Sequence, residues 1–142
     1  MIVLAYDHRG YKIMQSVKEY LTKCDLEYIE FANKEYDKSD NYAYFAKQAT
    51  EYMLNNKDTK GIFSCGTGIG ICIASNRVKG LRAGICHDIK TTFLARNDDD
   101  INILVLAGNT MKPTKAKKII NTFLQTEFEG GRHIARLELL DK

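Results

Sequence analysis

The sequence has little of what marks a membrane protein, a nucleic-acid binder or a string of modules. Its first apolar run, Met1-Ile2-Val3-Leu4-Ala5, breaks into Tyr6-Asp7-His8-Arg9, too short for a signal-peptide core and far too short for a membrane span. Charge of one sign is scarcely in excess: 21 basic against 18 acidic side chains leave a formal net charge of +3, without the basic footprint that nucleic acid requires. Proline occurs once, as Pro113, and no linker, repeat or low-complexity tract divides the chain. Residues 1–142 are therefore expected to form one domain that buries its core without staples. None of the spacings among Cys24, Cys65, Cys72 and Cys86 makes a zinc pair. They read as reduced thiols, hence a cytoplasmic protein.

What is present is an alternation of short apolar runs with amphipathic stretches. Ile2 to Tyr6, Leu26 to Phe31, Lys60 to Cys65, Leu81 to Cys86 and Ile101 to Ala107 read as strands. Between them, Ile13, Val17 and Leu21 recur every four residues, and Tyr42, Phe45, Ala46, Ala49 and Met53 repeat the helical spacing. A third helix follows from Ile69 to Asn76, a fourth over residues 89–97 with Phe93 and Leu94 inward, and a fifth from Pro113. Arg132 to Leu140 reads as a further helical segment, and the polar stretch Ala32 to Asn41 as a loop long enough to be a lid. Strands separated by helices predict an α/β fold: a five-stranded parallel sheet flanked by helices, with ligands at the carboxyl ends of the strands. Asp7, His8, Cys65 and His87 fall at such ends.

The chain is organised around Gly61-Ile62-Phe63-Ser64-Cys65-Gly66-Thr67-Gly68-Ile69-Gly70, a strand entering a glycine-dense turn and then a helix. Gly66, Gly68 and Gly70 permit positive φ and close approach of a ligand, and a helix N-terminus offers N–H groups to an anion. Cys65, at the strand's last position, is a candidate base or nucleophile in the same field, or simply a small core residue before a turn. The spacing is not that of a dinucleotide fingerprint, because Ile71 stands where the third glycine belongs. A nucleotide P-loop is excluded because Ile71-Cys72 replace the Lys-Ser/Thr pair. A cysteine-phosphatase loop lacks its closing arginine, since the first after Cys65 is Arg77. Asp7 beside His8 suits proton transfer or phosphate binding, and equally suits a cap on the first helix. Arg132 and Arg136, four apart, put two guanidiniums on one helical face, fit for a phosphate or for solvent.

Together Asp7-His8-Arg9-Gly10, Cys65-Gly66-Thr67-Gly68-Ile69-Gly70, Ala74, Asn76-Arg77, Gly80-Leu81-Arg82-Ala83, Cys86-His87-Asp88 and Glu129-Gly130-Gly131-Arg132-His133 with Arg136 make a specific pattern. Over essentially its full length the chain resembles the type B ribose-5-phosphate isomerases, relatives of the bacterial galactose-6-phosphate isomerase subunits. The resemblance implies a three-layer Rossmann-like fold and a homodimer, or a dimer of dimers, with shared active sites. It also implies a phosphosugar substrate and neither metal nor cofactor. It makes Cys65 the base that moves a proton between C1 and C2. Thr67 and the amides of Gly66, Gly68, Ile69 and Gly70 would hold the enediolate, His8, Arg132 and Arg136 the phosphate, and Asp7 the sugar hydroxyls.

The chain departs from that pattern where the family has His-Asn-Asp and this sequence reads Asp98-Asp99-Asp100, and where an arginine after the last strand is replaced by Asn109. Asp98 then stands where the family opens the sugar ring, and Asp99 where it binds the reacting oxygen. Negative charge closing a helix opposes the dipole and needs an offset from solvent, Arg96 or an arginine across an interface. The leading expectation is an isomerase interconverting ribose 5-phosphate and ribulose 5-phosphate. Its rivals are an isomerase of a tetrose or hexose phosphate, and a non-catalytic sugar-phosphate-binding subunit that needs a paralogue.

Overall fold

The computed structural model describes residues 1–142. Its five strands are β1 (Ile2–Tyr6), β2 (Tyr28–Phe31), β3 (Lys60–Cys65), β4 (Ala83–Ile85) and β5 (Ile103–Ala107), in one sheet of order β2-β1-β3-β5-β4. All neighbouring pairs are parallel. Parallel neighbours need crossovers, and α1 (Tyr11–Lys23), α2 (Tyr42–Asn55), α3 (Ile69–Asn76) and α4 (Ile89–Asn97) supply them. The helices α5 (Pro113–Gln125) and α6 (Ile134–Leu140) complete the chain. This is the five-stranded parallel α/β architecture expected of the sequence.

Because successive strand residues face opposite sides, the sheet divides the core in two. On one face Leu4, Tyr6, Ile62, Leu104 and Leu106 meet the Ile13, Met14, Val17 and Leu21 stripe of α1 and the Ala116, Ile119, Ile120 and Phe123 stripe of α5. On the other, Val3, Ala5, Phe63, Ile103 and Val105 meet Phe45, Ala46, Ala49 and Met53 of α2 and Ile71 of α3. Each of the larger apolar side chains fully buried there contributes roughly 1.5–3 kcal/mol, so the two stripes suffice to fix both layers. Pro113 begins α5 at its first turn, where a missing N–H costs nothing.

The structure corrects several boundaries and one face. The ladders of β2, β4 and β5 start at Tyr28, Ala83 and Ile103, later than the apolar runs that contain them. Phe93 and Leu94 do not point inward: they are 45% and 42% exposed, and α4 buries Thr92 and Arg96 instead. Arg96 tolerates burial because its guanidinium donates to the Thr126 and Ile101 carbonyls and to Asp100 Oδ1. Thr92 turns its hydroxyl to the Asp88 carbonyl. The segment from Arg132 is not one helix, since Gly131–His133 form a 3-10 turn ahead of α6. Arg132 and Arg136 therefore do not share a continuous α-helical face.

Candidate active site

Three chain segments converge where the carboxyl ends of β1, β3 and β5 lie side by side. After β1, the buried Asp7 carboxylate accepts the N–H groups of Arg9 (2.9 Å) and Gly10 (3.2 Å) through one oxygen. The N-cap of α1 is Gly10, so Asp7 shapes the turn into the helix rather than capping it. His8 donates its backbone N–H to Asp40 Oδ1 at 2.9 Å, and its ring Nδ1 lies 2.8 Å from the same oxygen. A carboxylate accepts, so Nδ1 carries the proton and Nε2 is left without a protein partner. Asp40 comes from the loop between β2 and α2, which the sequence marked as a possible lid, and the His8 ring also meets Tyr36 of that loop edge-on.

At the end of β3, Cys65 is 4% exposed. Its carbonyl accepts the Gly108 N–H at 2.8 Å and that of Gly66 accepts the Asn109 N–H at 2.9 Å, which ties the glycine turn to the end of β5. Only Gly68 among the three turn glycines has positive φ, +80°, the left-handed conformation that glycine adopts at no steric cost. Gly66 and Gly70 are small for contact reasons. A Cβ on Gly66 would stand 2.7 Å from Arg9 Cδ and 3.1 Å from Asn109 Nδ2, and one on Gly70 would meet the Tyr42 ring. Thr67 Oγ1 accepts the Ile69 N–H at 3.1 Å, so its hydroxyl takes one of the free donors of the α3 N-terminus.

These segments enclose an open cleft of about 790 Å³, floored by Cys65, Gly66 and Gly70 and walled by Asp7, His8, Arg9, Thr67, Ile69, Ile73 and the Ser39–Tyr42 stretch. Its size suits a small polar metabolite. Of the three inner cysteines only Cys65 faces it; burial pushes the thiols of Cys72 and Cys86 up, so both are held as thiols. Asp40, Tyr42 and Arg9 went unnoticed in the sequence as site residues. Asp40 and Tyr42 lie in a polar loop and the helix it enters, and no local spacing ties them to residues 7–10.

The remaining candidates gather elsewhere. Asp98, the C-cap of α4, lies with Oδ1 3.6 Å from His133 Nε2, which is 3.1 Å from Glu129 Oε2. Arg136 Nη1 is 3.3 Å from His133 Nδ1. A guanidinium only donates, so Nδ1 accepts and Nε2 carries the proton toward the two carboxylates. His133 is 3% exposed, and the sequence shows it only as the last residue of the Glu129-Gly130-Gly131-Arg132-His133 motif. Asp98, Asp99, Arg132 and Arg136 do not line the cleft around Cys65. Asp100 carries the offset for the acidic run, pairing with Arg82 and Arg96 at 2.8 Å each. Two groups have carboxylate and imidazole atoms close enough for a cation, Asp7-His8-Asp40 and Asp98-Glu129-His133. In each, an imidazole nitrogen that would be a ligand already bears the proton of a hydrogen bond to a carboxylate.

A parallel α/β sheet whose cleft opens at the ends of β1 and β3, with a cysteine and a glycine turn as its floor, defines an α/β protein with a cleft of small-molecule size at a topological switch point. The family model for ribose/galactose isomerases matches residues 2–140, and the chain belongs to that family. A probable ribose-5-phosphate isomerase B of Mycoplasma pneumoniae is 39% identical over 136 residues, covering 96% of this chain and 90% of that protein. The crystal structure of a ribose 5-phosphate isomerase from Thermotoga maritima superposes with a TM-score of 0.95 at 37% identity, covering 99% of this chain and 96% of that one. The ribose-5-phosphate isomerase B of Mycoplasma genitalium, solved with bound ribulose-5-phosphate, gives 0.93 at 34% identity, covering 98% and 92%. No helix of this chain is long and apolar enough to cross a membrane.

Proposed function

We propose that this chain is an aldose–ketose isomerase of phosphorylated sugars, with ribose 5-phosphate and ribulose 5-phosphate as its substrate pair. The observation that carries the reading is the match of the whole fold, at 34% identity, to an isomerase holding ribulose-5-phosphate. In this reading Cys65 removes the proton from C2 of the open-chain aldose and returns it to C1, while a proton passes from the C2 hydroxyl to the C1 oxygen. Thr67 and the amides of Gly66, Gly68 and Gly70 stabilise the enediolate between the two transfers, while the Ile69 N–H holds the Thr67 hydroxyl in place. From the turn after β1, Asp7 holds the sugar hydroxyls and His8 faces the phosphate.

Asp98, Asp99, Arg132 and Arg136 enter as the share of a second copy. They lie outside their own cleft, and Ile69, Ile73, Ile89, Phe93 and Leu94 are exposed apolar side chains that a partner subunit would cover. We read the working unit as a homodimer, or a dimer of dimers, of one-domain subunits in the cytoplasm, a compartment that suits its four free cysteines. Asp98 supplies acid–base function for ring opening with His133 beside it, and Arg132 and Arg136 reach the phosphate.

The test is proton exchange. The purified protein is incubated with ribose 5-phosphate in deuterium oxide and both sugars are followed by NMR. Formation of ribulose 5-phosphate with deuterium at C1 is expected. Exchange only with a tetrose or hexose phosphate would reassign the sugar, and no exchange with any of them would leave a binding subunit.

A further inference from the structure

The geometry points to Arg9 as the residue that fixes the phosphate monoester of the substrate within the same subunit as Cys65. This rests on the isomerase reading for the identity of the ligand, though not for the presence of an anion site. Arg9 is the only arginine that lines the cleft, and no lysine lines it. It forms none of the protein's ion pairs, in which the basic partners are His8, Lys18, Arg82, Arg96 and His133. The two nearby carboxylates are engaged elsewhere: Asp7 accepts the Arg9 and Gly10 N–H groups, and Asp40 holds His8. A guanidinium with no acidic partner, at the wall of a cleft, presents a planar fork of donors that matches a phosphate.

Its backbone is held while its side chain is exposed. The backbone of Arg9 is fixed at both ends, its N–H on Asp7 and its carbonyl packed so closely on Gly108 that a side chain there would collide with it. The Cδ atom lies over Gly66, the residue after Cys65, beside the Asn109 side-chain amide. Preorganisation of this kind lowers the ordering cost when the ligand arrives. The small amide of Asn109 leaves this space to the arginine stem. The anchor for the unreactive end of the substrate is thus tied by backbone contacts to the turn that carries the proposed base.

Calorimetry with ribulose 5-phosphate and with unphosphorylated ribulose tests the assignment on the parent, Arg9→Met and Arg9→Lys proteins. Arg9→Met keeps the stem over Gly66 and removes the charge. It should weaken ribulose 5-phosphate roughly 10-fold or more and leave the weak binding of ribulose unchanged, with Arg9→Lys between. Arg9→Gln, which retains two donors, guards against a local disturbance by methionine and should follow the same order. Unchanged affinity for the phosphosugar in Arg9→Met and Arg9→Gln, or equal losses for both ligands, would overturn it. If the parent binds ribulose 5-phosphate but exchanges no proton, the isomerase reading fails while the assignment of Arg9 stands.

Discussion

Two imidazole–carboxylate groups stand in this protein, and they differ in what they leave unbonded. His8 spends Nδ1 on Asp40 and keeps Nε2 without a protein partner at the cleft wall. His133 spends both nitrogens, Nδ1 on Arg136 and Nε2 on Glu129 and Asp98, and is almost wholly buried. The first arrangement prepares a group for a ligand. The second braces the last segment of the chain against α4 and orients Arg136, whose other donors remain available to a neighbouring molecule. A shared motif of acid and imidazole therefore says little until the free nitrogen has been found.

The sharpest way to break this contrast is to remove the proposed base. Cys65→Ala should lower isomerase turnover about 100- to 10,000-fold while thermal unfolding stays within about 3 °C of the parent; activity within a few-fold of the parent would sink the assignment. A smaller effect is expected on the braced side. Arg136→Ala should raise the Michaelis constant for the phosphosugar roughly 10-fold and leave the weak affinity for the dephosphorylated sugar as it was, and equal losses for both would make the arginine purely structural. A last effect, on stability and not on turnover, concerns the strand beneath the cleft. Burial, and the Glu30 carboxylate to which it donates, push the Tyr6 hydroxyl from 10.0 up to about 12. The unfolded chain loses this proton first as pH rises, so the stabilisation is complete below pH 10 and fades between 10 and 12. Over that interval the parent should lose about 2–3 kcal/mol more than Tyr6→Phe, measured by urea unfolding; parallel curves would contradict it.

How much of this could be read from the sequence follows the range of the interactions. The 3.6-residue stripes of α1 and α5 and the apolar runs of β1 and β3 are local signals, and they gave the layers and the cleft floor at Cys65. Helix α4 misled because Phe93 and Leu94 are apolar and adjacent, whereas the buried Arg96 is paid for by Asp100 and two carbonyls that only the folded chain brings near. Asp40 and Arg9 escaped for the same reason, since their roles depend on contacts between loops distant in sequence. The resemblance supplied Asp98, the four-residue spacing had already offered Arg132 and Arg136, and the structure adds that His133 links Asp98 with Arg136.

The strand order carries a consequence for how the chain is made. β4 is hydrogen-bonded only to β5, yet it is synthesised first. While the ribosome adds residues 86–102, which separate them, residues 83–85 have no ladder to join and the free edge of β3 stays open. The sheet can close there only when Ile103–Ala107 emerge and slide between the two. A nascent chain halted before that point would expose an apolar parallel edge, the kind of template on which chaperones act and aggregates grow.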